Sequence, residues 1–393
     1  MKNRKFFPER AVYITKKPED SEMKALIIGG TGPTGPHIIG GLIARGYDVV
    51  MLNRGSRDSN AIPPSVERVV GDPHFTESLE AALRARTFDI VIATYGRLRY
   101  VAEVVSKKTD RLISVGGMAS YSGFGLPGTP KEYTPSGMPI PTSEDAPLVE
   151  TEEESRFSYL VRTTEDAVMA QHTAGTMNVT HYRYPLVYGP WQVAPTSFWW
   201  VMQRCLDQRS YAILPNSGLA ITSRGYSENL AHAVLLAVDQ PQTSAGQIYN
   251  CGDERQFSFA QWVGLIAEAM EWPLEILSAP DQFASPTRDL MRVNGRGLHQ
   301  YLDVSKICQQ LGYSDRVNPL NAVRQTVQWF KDHPLDDDSV ASLRAHYEVE
   351  DQLAGILRDA NERMGALPHI ESPFDHSYAH PRKPGLQRDH KNR

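Results

Sequence analysis

The 393 residues are 41% hydrophobic with a formal charge of −5, enough apolar material for a full core and a length suited to two domains or one large α/β domain with an appendage. Acids and bases are interspersed, which excludes a broad basic surface for nucleic acid. No run is long enough to span a bilayer, and three scattered cysteines, Cys205, Cys251 and Cys308, give neither a disulfide framework nor a zinc site.

Residues 1 to 23 are polar and interrupted by prolines, without the apolar segment of a signal peptide, and are expected to form an arm. The chain then reads Ala25-Leu26-Ile27-Ile28-Gly29-Gly30-Thr31-Gly32-Pro33-Thr34-Gly35. This predicts a strand from Lys24, a glycine turn and a helix from about His37 to Arg45: the first strand, phosphate loop and helix of a Rossmann fold. The first glycine permits the tight turn, the second lets the backbone approach a pyrophosphate, and the third lets helix and strand pack closely. The helix N-terminus then offers free N–H groups to phosphate. Gly29, Thr31, Gly32, Pro33, Thr34 and Gly35 are therefore the expected cofactor loop.

A buried strand from about Asp48 ends in Asn53, Arg54, Gly55, Ser56 and Arg57. An NAD enzyme normally carries an acid here for the ribose 2′-hydroxyl. This chain has none; Asn53 is neutral, and Arg54 and Arg57 are placed to clamp a 2′-phosphate. NADP(H) is therefore the expected cofactor, with NAD(H) as the alternative. Arg68 to Asp72 predicts a third strand ending in a Gly-Asp turn and Thr76 to Arg86 a helix. Phe88 to Ala93 predicts a fourth strand, Val101 to Val105 part of a helix, and Leu112 to Val115 a fifth strand. Strands alternating with helices at this pace imply a doubly wound parallel sheet, whose ligands sit beyond the carboxyl ends of the strands. Asp72, Thr94, Tyr95, Tyr184 and Pro185 join the expected cofactor residues. Arg97, Arg99, Gly116, Gly117, Ser120 and Tyr121 are expected nearby.

Ser122 to Pro147 is rich in Gly, Pro, Ser and Thr and predicts a long functional loop or lid. A helix from about Glu152 to Gln171 follows, then a sixth strand, Asn178 to Tyr184, running into Arg183-Tyr184-Pro185-Leu186-Val187-Tyr188-Gly189-Pro190. The glycine spacing, Gly71-Asp72, Ser114-Val115-Gly116-Gly117 and this Arg-Tyr-Pro segment together resemble the extended short-chain dehydrogenase/reductase superfamily, the NAD(P)-dependent epimerase/dehydratase group. Gly246 to Asp253 resembles the strand before the helix of that group's second domain. Asp303-Val304-Ser305-Lys306 with Leu311-Gly312-Tyr313 resembles its closing element. The resemblance covers roughly residues 24 to 333.

Members of that superfamily usually act through a Ser or Thr after strand five and a Tyr-x-x-x-Lys on the next helix, the lysine lowering the pKa of a tyrosine that serves as general acid or base. Aligned on Glu165, the tyrosine and lysine positions are Phe157 and Val161. A frame shifted by two gives Tyr159 and Thr163, and the serine position falls on Gly116 or Gly117. The resemblance therefore implies the fold and the cofactor but not the mechanism. Position alone offers Tyr159, Tyr95 and Tyr121 as replacement acids, Tyr159 foremost, with Arg97, Arg99 or Arg162 as the cation.

Beyond Pro190, Trp191, Phe198, Trp199, Trp200 and Tyr211 crowd a stretch that includes a helix from about Thr196 to Asp207. Trp191, Trp199 and Trp200 are expected to line a pocket for an apolar or aromatic substrate, the alternative being core. Ile221 to Arg224 predicts a strand and Tyr226 to Val238 a helix. Arg224 is expected to bind an anionic substrate group or to pair with Glu228 one turn on. Phe257 to Met270 predicts a helix, Leu274 to Leu277 a strand, Pro319 to Lys331 a helix and Ser339 to Arg363 another. The tail carries His369, His376 and His380 without metal-ligand spacing, so no metal is expected.

The expected organisation is an α/β chain: the arm, a Rossmann domain over 24–186, a smaller α/β substrate lobe over 187–333 partly interleaved with the sheet, and a helical tail over 334–393. The expected activity is NADP(H)-dependent oxidoreduction at a carbonyl or hydroxyl of a small, largely apolar or aromatic metabolite. The alternatives are an epimerase or dehydratase that retains its NAD(P), and a non-catalytic dinucleotide binder. A cytoplasmic location, a small-molecule substrate and no nucleic-acid or membrane partner are expected. A homodimer through the tail helix is one option.

Overall fold

The computed structural model describes residues 23–56, 60–125, 137–192, 197–284, 298–368, 383–385 and 388. Residues 1–22 of the expected arm, Arg57, much of the expected lid and the three tail histidines lie outside the described residues.

Short apolar strands alternate with helices from the start. The order is β1 (Lys24–Ile28), α1 (Gly35–Ala44), β2 (Asp48–Asn53), β3 (Glu67–Val70), α2 (Thr76–Leu83), β4 (Ile90–Ala93), α3 (Leu98–Val105), β5 (Arg111–Gly117), α4 (Glu152–Thr173) and β6 (Asn178–Tyr184). The chain continues through β7 (Leu186–Tyr188), α5 (Ser197–Leu206), β8 (Tyr211–Pro215), β9 (Arg224–Tyr226), α6 (Ser227–Asp239), β10 (Gln247–Asn250), α7 (Phe259–Ala269) and β11 (Glu275–Ala279). Last come α8 (Ser305–Leu311), α9 (Pro319–Asp332), α10 (Asp337–Arg344) and α11 (Tyr347–Gly365).

Seven strands form one parallel sheet in the order β10-β6-β5-β4-β1-β2-β3. Covered on both faces, its central strands are continuous apolar runs, as parallel sheets require: Ala25 to Ile28 are fully buried. Ile38, Ile39 and Leu42 of α1 pack on one face with Leu230 and Val234 of α6. Leu79 and Leu83 of α2, Val101 and Val105 of α3 and Val168 of α4 cover the other. The first six predicted strands all lie in this sheet.

The sheet also holds β10, a strand from within the 187–333 stretch expected to be partly interleaved with it. β10 pairs with β6 from Gln247↔Thr180 to Asn250↔Arg183, and Tyr249 is buried beside Tyr182, ring centroids 5.8 Å apart. The buried Arg111 guanidinium ties this edge together through Asn178 Oδ1 (2.7 Å), Thr180 Oγ1 (2.9 Å), Ser244 Oγ (2.8 Å) and the Ala237 carbonyl (3.1 Å). The chain thus leaves the sheet after β6, builds the first part of the second lobe, returns as β10, and completes that lobe with α7, β11 and α9.

That lobe contains two small parallel pairs, β7 with β9 and β8 with β11, around a core of Tyr188, Phe198, Trp199, Trp200, Trp262 and Phe330. The single helix expected over Ser339 to Arg363 is two, α10 and α11. The chain turns between them where Arg344 (2.5 and 2.9 Å) and the Tyr347 hydroxyl (2.9 Å) both meet Asp207. By packing, the chain divides after Glu350 into two compact units. No helix among the described residues is long and apolar enough to cross a membrane.

A buried carboxylate cluster joins β10 to the second lobe. Asp253 accepts the Tyr188 hydroxyl (2.6 Å), the Tyr226 N–H (2.9 Å) and Asn229 Nδ2 (2.9 Å), and Asp315 accepts the Glu254 N–H and the Tyr313 hydroxyl, both at 3.1 Å. Burial pushes Asp253 up to about 6 against those hydrogen bonds. Burial, with the charge of Asp253, pushes Asp315 up to about 7. Both hold protons in the folded state that the unfolded chain releases near its ordinary carboxylate pKa. Their contribution to stability is therefore complete below about pH 4 and is lost as pH rises through about 6 to 7. Between about pH 5 and about pH 8 the thermal midpoint of Asp315→Asn should rise relative to that of the natural chain. A parallel pH dependence of the two proteins would refute this account.

Candidate functional site

The carboxyl ends of β1, β2, β4 and β5, with β7, enclose a cavity of about 410 Å³. Its floor is the glycine loop, Gly29 to Gly35, leading into the N-terminus of α1. Two glycines here have different physical reasons. A Cβ on Gly35 would lie 2.0 Å from the Gly30 carbonyl oxygen, so the helix and the turn touch backbone to backbone. A Cβ on Gly32 would meet no atom within 4 Å; it would occupy open space beside the glycine loop that lines the cavity. That cradle, kept open by a missing side chain and placed at a helix N-terminus, fits a pyrophosphate. Thr34 serves the frame as well, since its side chain hydrogen-bonds the buried Tyr184 hydroxyl, which also donates to the Leu230 carbonyl (3.3 Å).

Most of the expected cofactor residues come together here: the loop, Asn53, Arg54, Thr94, Tyr95 and Tyr184 all line the cavity. Asn53 shapes its edge by accepting the Gly55 N–H (3.0 Å). Pro185 and Asp72 do not line it. The Asp72 carboxylate is turned to His74, meeting Nδ1 at 2.8 Å and the backbone N–H at 3.0 Å, and these bonds hold it below the usual carboxylate range. Gly30, Ser56, Val115 and Val187 also line the cavity although the residue pattern did not single them out. Val115 was open to discovery from its place at the end of strand five. Val187 stands in the Arg-Tyr-Pro segment, on β7, a three-residue strand not expected from the residue pattern.

At the side of β5 and α4, Tyr121 proves to be structural. It is fully buried, donates to Asn250 Oδ1 (2.7 Å) and accepts Arg183 Nη1 (2.6 Å). Burial pushes its phenol up to about 12, and its hydroxyl is engaged inside the protein. Arg183 also grips Glu165 of α4 through both carboxylate oxygens (2.6 and 2.8 Å). Burial opposes both charges, yet their mutual hydrogen bonds prevail: Glu165 lies below and Arg183 above its ordinary value. His181, fully buried and pushed down to about 4 by that burial, sits 3.4 Å from Glu165 Oε2 and 2.8 Å from Ser114 Oγ.

His181 also settles which glycine has room for a side chain. A Cβ on Gly116 would stand 2.7 Å from His181 Nε2, whereas one on Gly117 would meet nothing nearer than the Tyr184 carbonyl at 3.7 Å. Along α4, Phe157 is 65% exposed, and Ser158, Glu165 and Val168 form the buried stripe. Tyr159 follows Ser158, about 100° further round the helix, half-buried and outside the cavity lining.

The expected aromatic pocket is core instead. Trp199 and Trp200 are 3% and 1% exposed, closed over by Phe330 (5.5 Å to the Trp199 ring) and by the Arg204 guanidinium (3.4 Å to the Trp200 ring). Trp191 sits edge-on to His37 of α1, centroids 5.3 Å apart. Arg224 is buried over Trp262 (4.6 Å) and donates to the Thr222 carbonyl (3.2 Å). Among the described residues it has no carboxylate partner, Glu228 included, and burial brings it down to about 10. Its strand, β9, pairs with β7 and so lies one strand from Val187 of the cavity.

A family model described as NAD dependent epimerase/dehydratase family matches residues 25–252. The chain is 24% identical over 278 residues to the chloroplast stem-loop binding protein of 41 kDa b from Arabidopsis thaliana, covering 68% of this chain and 67% of that one. It is 24% identical over 265 residues to a 3-diazoavenalumate denitrifying reductase from a Streptomyces species, covering 64% and 83%. Among solved structures it is similar to the UDP-glucose 4-epimerase of Thermotoga maritima with UDP-glucose, at a TM-score of 0.61 and 19% identity, over 79% of this chain and 99% of that one.

Proposed function

Since the chain belongs to the NAD-dependent epimerase/dehydratase family, we propose that it is an NADP(H)-dependent oxidoreductase acting on a carbonyl or hydroxyl of a small metabolite. The single observation that carries this reading is Arg54, exposed at the carboxyl end of β2 and lining the cavity where an NAD enzyme would carry an acid. The reductase among its relatives supports it; the epimerase fold it shares supports the alternative, retention of NAD(P) through an epimerisation or dehydration.

When bound, the nicotinamide gives or takes a hydride. The chain's own part is binding and exclusion. N–H groups of the glycine loop would hold the pyrophosphate and Arg54 would meet the 2′-phosphate, while Val115, Val187 and the ring of Tyr184 give the cavity an apolar wall that would exclude water. Arg224, a buried cation one strand away, is the proposed partner for an anionic substrate group. Tyr159, half-buried on α4 one turn from Arg162, is the proposed proton carrier.

Arg54→Ala tests the reading by equilibrium titration. Losing a charge-assisted contact to phosphate should weaken NADPH by about 10- to 100-fold and leave NADH within a factor of about two. An unchanged NADPH affinity would end the NADP(H) assignment. Near-stoichiometric NAD+ released on denaturing the purified protein would favour the retained-cofactor alternative.

A further inference from the structure

The loops after β3 and β4 are built into each other. A Cβ on Gly96, whose φ is +103°, would lie 2.6 Å from Pro73 Cβ. The Arg97 N–H donates to the Pro73 carbonyl (3.1 Å), and Arg97 Nη1 reaches the His74 carbonyl (3.4 Å). On this base Asp72 fixes the His74 imidazole through the 2.8 Å contact at Nδ1. The His74 ring meets Tyr95 edge-on, centroids 5.1 Å apart and planes at 82°. Tyr95 carries the Arg54 guanidinium carbon 5.3 Å from its ring centroid. Because β1 lies between β2 and β4 in the sheet, Arg54 and Tyr95 meet across the glycine turn, and both line the cavity.

We propose that Tyr95 is a positioning residue for cofactor selectivity: oriented by Asp72 and His74, its ring holds the Arg54 guanidinium over the cavity, ready for a phosphate on the ribose 2′-oxygen. An arginine on an exposed strand end would otherwise sample many rotamers and lose that freedom when it captures a phosphate. A ring that already narrows those rotamers reduces the loss, and the benefit falls on NADPH alone because NADH carries no phosphate there. The proposal rests on the NADP(H) reading of Arg54. It assigns Tyr95 to positioning Arg54, and Asp72 to orienting His74.

Fluorescence titration of the full chain with NADPH and NADH tests this without turnover. Tyr95→Leu should lower the preference for NADPH about three- to fivefold, the scale of an exposed cation–π contact, with the NADH dissociation constant unchanged. Tyr95→Phe should retain the preference. Equal weakening of both dinucleotides by Tyr95→Leu would mean that the ring touches their common part, and would overturn the proposal. Failure of Tyr95→Phe to retain the preference would overturn it too. If Arg54→Ala leaves the preference unaltered, the NADP(H) reading fails and takes this proposal with it, a result distinguishable from failure at Tyr95 alone.

Discussion

Gly35→Ala is expected to abolish dinucleotide binding, weakening NADPH and NADH alike by more than about 100-fold, and to lower stability by about 1–3 kcal/mol, the usual cost of overpacking. The added Cβ would fall 2.0, 2.3 and 2.5 Å from the carbonyl oxygen, carbonyl carbon and Cα of Gly30. All three are backbone atoms, so no side chain can rotate away. Either α1 or the turn must shift, and the shift moves the N–H groups that would hold a pyrophosphate. Gly32→Ala separates binding from folding, because its methyl group meets no protein atom within 4 Å. It should leave the thermal midpoint unchanged while reducing affinity. Titration and thermal denaturation of the two variants side by side decide the matter: natural affinity in Gly35→Ala, or equal destabilisation of both, would contradict the account.

Glu165→Gln is expected to cost about 3–5 kcal/mol of folding stability, a large part of the total for an ordinary domain. Arg183 is 2% exposed and Glu165 3%, so removing one charge leaves the other buried without compensation. Arg183→Met should cost a comparable amount by stranding Glu165 and by releasing the Tyr121 hydroxyl. The double variant Glu165→Leu with Arg183→Met should recover part of the loss, since replacing both members of a buried pair removes the uncompensated charge. Urea denaturation of the three variants gives the comparison. A single-variant loss below about 1 kcal/mol would show that water reaches the pair.

What could be read from residues alone followed the reach of each signal. The glycine turn was legible because its spacing encodes backbone requirements within a few residues, and Arg54 because its place follows from counting strands. The first six strands declared themselves as apolar runs punctuated by glycine and charge. The role of Tyr121 was not legible, because Arg183 and Asn250, which engage its hydroxyl, arrive from strands far along the chain. Trp199 and Trp200 look alike as core or as pocket wall until Arg204 and Phe330 close over them. Gly116 and Gly117 could not be told apart without His181, which stands on a different strand. The place of β10 depended on which edge of the sheet remained open, and no local pattern carries that information.

The late return of β10 has a consequence for how the chain is made. During translation the strand that completes the sheet leaves the ribosome only after β7, α5, β8, β9 and α6, so β6 waits as an open edge while they are synthesised, of the order of seconds at about 5–20 residues per second. Over that interval Arg111 lacks its Ala237 and Ser244 partners, and Thr180 to Arg183 offer backbone donors and acceptors to any passing strand. Until the returning strand closes it, the β6 edge is where the nascent sheet is open to mispairing.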